Sequence, residues 1–363
     1  MPNPTDTRSS TDIRSSPDIQ TSTGILLIQL GTPEAPRTRE VRRYLREFLG
    51  DPRVLDMPAL GRALLLYGAI LPFRSPRSAK AYQKIWTEAG SPLFVHSRAL
   101  AEGVAKELGD GFRVELGMRY GEPSLEGALE RLAAAEVERI IVLPLFPHEA
   151  GSSSGSALQR TFELAGKRWD PPALSSLGPF YDDPGFIGAT AEIAGPLLGE
   201  FAPDHVLLSY HGLPERQVRR SDATGRHCLE GDSCCDAMGE ANRHCYRAQC
   251  YATSRALTEA LALETDRVST SFQSRLGRTP WIQPFTDHRL PELAAAGVRR
   301  LAILCPSFVA DCLETSEEIG IRGRAQWHEL GGEDLLLVPC VNAHPSWVRS
   351  VAKKVRGAAQ LGL

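Results

Sequence analysis

The sequence predicts an α/β protein of two similar domains, each built on a parallel sheet. Three observations carry that reading. Short apolar runs recur at Gly24–Leu30, Val114–Gly117, Arg139–Leu143, His205–Tyr210, Arg299–Leu304 and Asp334–Val338, as expected of strands covered on both faces. Amphipathic stretches lie between them. In Pro123–Ala135, for example, Leu125, Ala128, Leu129 and Leu132 share one helical face. The chain also echoes itself. Residues 24–34 and 205–215 each read as an apolar strand ending in Gly-x-Pro-Glu, with His211 where the first copy has Leu30. A second echo pairs Leu132–Leu143 with Leu293–Leu304. Alternating strands and helices imply right-handed crossovers, and ligands then belong at the carboxyl ends of the strands, in the cleft between the domains.

The elements follow in chain order. Residues 1–22, rich in Ser, Thr, Asp and Pro, read as a disordered arm and match neither a signal nor a transit peptide. A first domain is expected over 23–175, a second over 176–345 with a cysteine-rich insertion at 226–250, and a C-terminal helix over 346–363. At 363 residues and 42% hydrophobic content the chain can fill two cores. Its net charge of −3 argues against a nucleic-acid partner. No run reaches the ~20 apolar residues of a spanning helix. The nearest, Met57–Phe73, reads either as a buried helix or as an apolar lip that meets a membrane surface or a greasy substrate.

Three constellations are expected to line the cleft. His211 stands at the end of its strand, where a neutral imidazole can accept a proton or bind a metal. A helix starting near Asp311 would put Asp311, Glu314 and Glu318 on one face. The third, Gly117–Pro123 with Arg119 and Tyr120 together with the turn Gly151–Gly155, supplies a fixed cation and a hydroxyl-rich turn, Ser153 and Ser154 among its serines, suited to ligand carboxylates. Separately, Cys228, Cys234, Cys235, Cys245 and Cys250 crowd one short segment. Their intervals are not those of a zinc ribbon, and four thiolates around a [2Fe–2S] cluster fit better. The competing reading is a disulfide knot, which a reducing compartment disfavours.

The segments Leu30–Glu34, Gly90–Pro92, Gly117–Tyr120, Ser209–Pro214, Gln273–Gly277 with Pro280-Trp281 and Thr286-Asp287, and Phe308–Thr315 together resemble the ferrochelatases. Members of that family insert Fe²⁺ into a porphyrin at the end of haem synthesis. The resemblance runs from about residue 24 to residue 350. It implies two Rossmann-like domains of chelatase type with the porphyrin between them. His211 would be the base, the first metal ligand, or both. Glu314 would be the facing carboxylate and metal ligand, with Glu318 and Asp311 continuing an acidic track. Leu30, Arg119, Tyr120, Ser153, Ser154, Gln273 and Trp281 would contact the porphyrin.

An aliphatic residue at position 30 resembles the type that uses protoporphyrin IX; chelatases of the coproporphyrin type carry tyrosine there. Cys312 and His148 depart from the family's more usual histidine and glutamine. The internal cysteines resemble a bacterial subgroup with a [2Fe–2S] cluster at that place. Cys250 has counterparts in cluster-free relatives, so Cys228, Cys234, Cys235 and Cys245 are the expected ligands, with Cys250 as the alternative. Cys305 and Cys340 are expected at strand ends in the core. The expected location is the cytoplasm, with peripheral membrane contact through 57–73 and hand-over of porphyrin from the preceding enzyme. The alternatives are a chelatase for cobalt or for coproporphyrin III, or a redox sensor built on the cluster.

Overall fold

A computed structural model describes residues 23–277 and 279–362. The arm expected at 1–22 lies outside them. The first half runs β1 (Thr23–Gly31), α1 (Thr38–Gly50), α2 (Ala59–Leu65), α3 (Leu71–Ile85), α4 (Pro92–Leu108), β2 (Phe112–Tyr120), α5 (Leu125–Ala134), β3 (Arg139–Pro144), α6 (Ser156–Ala165) and β4 (Ala173–Ser176). The second runs α7 (Pro184–Phe201), β5 (His205–His211), α8 (Glu215–Arg220), α9 (Tyr246–Ala260), β6 (Val268–Gln273), α10 (Thr286–Ala295), β7 (Arg300–Leu304), α11 (Arg324–Glu329), β8 (Asp334–Leu337) and α12 (Pro345–Gln360).

Each half forms a four-stranded, all-parallel sheet, in the orders β2-β1-β3-β4 and β6-β5-β7-β8. The two orders are the same, so β5 repeats β1 and β7 repeats β3, as the internal echoes predict. The repeated glycine after each central strand has a steric cause. A Cβ on Gly31, whose φ is +117°, would fall 1.8 Å from the Tyr120 carbonyl oxygen. On Gly212 it would fall 2.9 Å from that of Gln273. At both places the chain leaves its strand by crossing close over the neighbouring one, which only glycine permits.

Two strands escape the apolar-run criterion. Ala173–Ser176 is short and half polar, and Val268–Gln273 reads Val-Ser-Thr-Ser-Phe-Gln. In the second, the hydroxyls are paired: Ser271 meets Thr286 at 2.8 Å, and Thr270 meets Ser254 at 2.8 Å. A paired hydroxyl can be buried at little cost, so an edge strand can be polar and still pack.

One apolar core joins Ile25 and Leu27 of β1 to Val206 and Leu208 of β5 by way of α12. Trp347 of α12 is fully buried and packs on Phe180 and Phe186 with ring centroids 5.3 and 5.6 Å apart. Within Met57–Phe73, Leu66 and Leu71 are buried, whereas Leu60, Leu64, Tyr67 and Phe73 are each at least 60% exposed. The outer side of the segment is therefore an open apolar edge. Three segments, Leu66–Ile70, Gly151–Gly155 and Leu313–Gly323, form wide π-helical turns. Such turns concentrate at functional sites.

Candidate active site

His211 ends β5 and is held on both sides of its peptide. Its N–H donates to Ser307 Oγ at 3.0 Å, and its carbonyl accepts from the Tyr246 hydroxyl at 2.7 Å. Nδ1 lies 2.6 Å from the Gly212 carbonyl oxygen. A carbonyl only accepts, so Nδ1 carries a proton, and in the neutral ring the lone pair is on Nε2. Trp281 packs beside Gly212 and ties its indole N–H to the Leu276 carbonyl at 2.9 Å.

The acidic segment is a π-helix from Leu313 to Gly323, so the expected helix start near Asp311 is two residues early. Asp311 lies ahead of the helix, off the face it was expected to share with Glu314 and Glu318. Its carboxylate accepts from the Asn342 amide at 2.8 Å and the Cys340 N–H at 3.2 Å, which draws it toward the β8–α12 connection. Glu314 and Glu318 do fall together, because i→i+5 bonding brings residues four to five apart onto one side. Gln273 sets the level of Glu314: its amide donates to the Glu314 carbonyl at 2.8 Å and accepts from Ser209 at 2.7 Å. It is buried, behind the carboxylates. Glu318 accepts from the Ser274 hydroxyl at 2.6 Å and from its N–H at 2.9 Å. Burial raises the Glu318 pKa, the Ser274 hydroxyl opposes that, and the neighbouring Glu314 raises it further.

The opposite wall centres on a residue that sequence reasoning missed. Asp51 Oδ2 accepts from Arg119 at 2.7 Å, from the Tyr120 hydroxyl at 2.8 Å and from Ser156 Oγ at 2.6 Å. Arg119 also donates to Ser156 at 2.8 Å. Burial pushes the Asp51 carboxyl up, but Ser156, the Arg53 N–H, Tyr120 and Arg119 outweigh it, and the net shift is downward. Arg119 is thus spoken for by Asp51, and Tyr120 is fully buried. Ser154 turns back on the Ala150 carbonyl at 3.1 Å, and Ser153 shares that turn. Leu30, the counterpart of His211, packs against the cluster of Tyr44, Tyr82 and Tyr120 together with Leu313 of the acidic helix.

Ion pairs join the halves around this cleft. Buried Glu317 is held by Lys84 of α3 at 2.9 Å and Arg322 at 2.8 Å. Buried Asp56, just before α2, pairs with Arg216 and, at 3.3 Å, Arg220 of α8. His148 is fully buried, and desolvation lowers its pKa to about 3, so it is neutral. It bonds Thr253 at 2.9 Å and stands edge-on to Tyr210 and Tyr246.

The cysteine segment is folded by Asp222, which accepts from the N–H groups of His227 and Cys228, both at 2.8 Å. Cys234 and Cys235 have their sulfurs 3.6 Å apart, and Cys245 is within reach of both Cys228 and Cys235. Arg247 approaches Cys235 Sγ at 3.1 Å. The Cys245 thiol and burial push the Cys235 thiol far up, and burial raises Cys228 and Cys234. Cys250 is buried one helical turn on, with its thiol turned to Tyr246. All eight cysteines are free. Among the described residues no three His, Cys, Asp or Glu side chains stand at the spacing of a finished metal centre. Cys305, Cys312 and Cys340 are buried in the core.

Two parallel-sheet halves of one topology, with a histidine at one strand end and facing carboxylates on a wide helix, define the chelatase class of metal-inserting proteins. SirB from Bacillus subtilis with Fe³⁺ shares this fold at a TM-score of 0.52, with 16% identity over 93% of this chain and 96% of that one. The Ferrochelatase family profile matches residues 22–359. A ferrochelatase from Coxiella burnetii (strain Dugway 5J108-111) is 48% identical over 338 residues, 93% of this chain and 94% of the relative. One from Legionella pneumophila (strain Paris) is 46% identical over 328 residues, 90% and 97% respectively. The chain belongs to the ferrochelatase family, lyases of haem biosynthesis that insert Fe²⁺ into a porphyrin. No helix among the described residues is long and apolar enough to cross a membrane.

Proposed function

We propose that this ferrochelatase converts protoporphyrin IX and Fe²⁺ to protohaem, with His211 over one face of the macrocycle and Glu314 opposite. The observation that carries the assignment is the contact from His211 Nδ1 to the Gly212 carbonyl, which in the neutral ring puts the lone pair on Nε2 at the strand end. Insertion releases two pyrrole protons as the metal binds four nitrogens. Nε2 can take a proton, or offer its lone pair to the metal, without first losing one of its own. Glu314 and Glu318 provide a polar path for the ions that enter or leave. Asp311, tied to Asn342, braces the start of that path.

Arg119 and Tyr120, locked to Asp51, form a rigid wall against which the porphyrin is positioned. Ser153, Ser154 and Trp281 complete its surroundings, with Gln273 supporting Glu314 from behind. Leu30 offers an apolar surface to the ring, which favours protoporphyrin IX. Anaerobic assays with protoporphyrin IX and with coproporphyrin III test this reading, and faster turnover of coproporphyrin III would overturn it.

We further propose a resident [2Fe–2S] cluster on Cys228, Cys234, Cys235 and Cys245. Two thiolates on one tetrahedral metal with ~2.3 Å bonds stand about 3.8 Å apart, close to the Cys234–Cys235 separation. The Cys250 thiol is instead engaged by Tyr246, with Cys235 near enough to act on it. Arg247 offsets the negative charge such a set would carry. When bound, the cluster supplies a one-electron centre and a cross-link within the 226–250 insertion. The visible spectrum of freshly purified protein tests it, and a colourless, zinc-loaded preparation would overturn it. We take 23–175 and 176–345 as the two folding units and place the enzyme in the cytoplasm. The lip at 57–73 would touch the membrane and receive porphyrin from the preceding enzyme.

A further inference from the structure

Helix α1 presents two unlike faces. Val41, Tyr44, Leu45 and Leu49 are buried, and Arg39, Arg42, Arg43 and Arg46 form an exposed stripe at i, i+3, i+4 and i+7. With Tyr67, Leu71 and Pro72 of the lip, these four arginines line an open cavity of about 500 Å³. Only Arg43 has an acidic partner among the described residues, Glu34 at 2.7 Å, and that pair is half exposed. In a chain of net charge −3, three of the four guanidinium groups have no ion-pair partner among the described residues, although Glu40 lies near Arg39, and together they make a local cationic concentration. Fold stability does not account for it, because unpaired like charges at i, i+3 and i+4 repel.

We propose that this cavity binds the phosphate of an anionic phospholipid. Guanidinium forks suit phosphate oxygens, and the cavity would accept a headgroup-sized anion. The choice of a lipid rests on what adjoins the stripe. Tyr67 belongs to both the cavity and the open apolar edge formed with Leu60, Leu64 and Phe73. A cationic stripe continuous with an exposed apolar edge matches the headgroup and acyl zones of a bilayer surface. The headgroup would sit between α1 and the lip while the apolar side chains enter the acyl boundary. This would fix how the cleft mouth is turned toward the membrane. The inference deepens the proposed membrane contact of the lip and rests on it.

The test is co-sedimentation of the full chain with vesicles of phosphatidylcholine alone and of phosphatidylcholine mixed with phosphatidylglycerol. At ~1 kcal/mol for each basic residue near an anionic surface, R39Q/R42Q/R46Q is expected to weaken binding to the mixed vesicles by about a hundredfold. Its binding to phosphatidylcholine and its iron insertion in detergent should be unchanged. R39K/R42K/R46K should retain most of the affinity. Equal binding of wild type and the glutamine variant to mixed vesicles overturns the proposal. So does displacement of the wild type by inorganic phosphate at matched ionic strength, which marks a free-anion site. The neutral vesicles report on the lip alone: L64S/F73S losing that binding, with no effect of the arginine substitutions anywhere, upholds the lip and refutes the headgroup site.

Discussion

The Tyr246 hydroxyl donates to the His211 carbonyl across 2.7 Å, and Tyr246 directly follows Cys245 in the chain. A single peptide bond therefore links a residue of the cysteine segment to the one that holds His211. Replacing Tyr246 with Phe keeps the ring against His148 but removes the donor. The lost bond, ~1 kcal/mol, predicts about a fivefold fall in kcat with KM for porphyrin little changed. Steady-state kinetics check this; a rise in KM alone would contradict a positioning role.

His211 to Ala removes the only Nε2 placed at the end of β5. General-base contributions of ~10²- to 10⁴-fold set the expected loss of insertion rate. The visible spectrum of the proposed cluster should be retained, because the segment that carries its thiols is folded by Asp222 and not by the imidazole. Loss of colour together with activity would show that the two centres are not separable.

Cys235 to Ser should abolish iron–sulfur absorption, and Cys250 to Ser should leave it, since Cys250 faces Tyr246. The reverse pattern in absorption and bound iron would move the fourth ligand to Cys250. Metal binding is folding energy for a segment of this kind. Chelation is therefore predicted to expose 226–250 to protease before the rest of the chain.

Asp51 to Asn leaves Arg119 without its anion beside a buried tyrosine. A broken, largely buried pair costs ~3 kcal/mol, and urea titration should show a loss of that size. The wall would also shift, so KM for porphyrin is expected to rise.

The same carboxylate gives a pH dependence. Its folded pKa lies below the ordinary value, so its stabilisation is present above about pH 4 and is lost as pH falls through the lower folded pKa. Wild type and D51N should therefore differ in stability at pH 6, and the difference should shrink as pH falls below about 4. A constant difference across that range would refute the assignment.

His211 was legible because it stands at the end of an apolar run and begins a Gly-x-Pro-Glu echo; both signals are local. Asp51 was not. Its partners lie 68, 69 and 105 positions away, and nothing next to it in sequence marks it. Glu314 and Glu318 were found by helical spacing, but the rule for a regular helix enrolled Asp311 as well. The actual i→i+5 winding begins later and excludes it. The second sheet's edge strand stayed hidden because its burial is achieved with paired hydroxyls and not with apolar side chains. Tyr246 was missed for a similar reason: a tyrosine between cysteines reads as part of their segment until the fold sets it under the histidine.

The pairs Lys84–Glu317 and Arg216–Asp56 bear on the width of the opening. Each sets a half-exposed cation against a buried carboxylate across the cleft, whereas the core behind them is apolar packing that includes α12. Salt weakens the exposed partners and leaves that packing alone. A flat, rigid guest needs a gap of fixed height, so ionic strength becomes a control on how readily such a guest is admitted and let go.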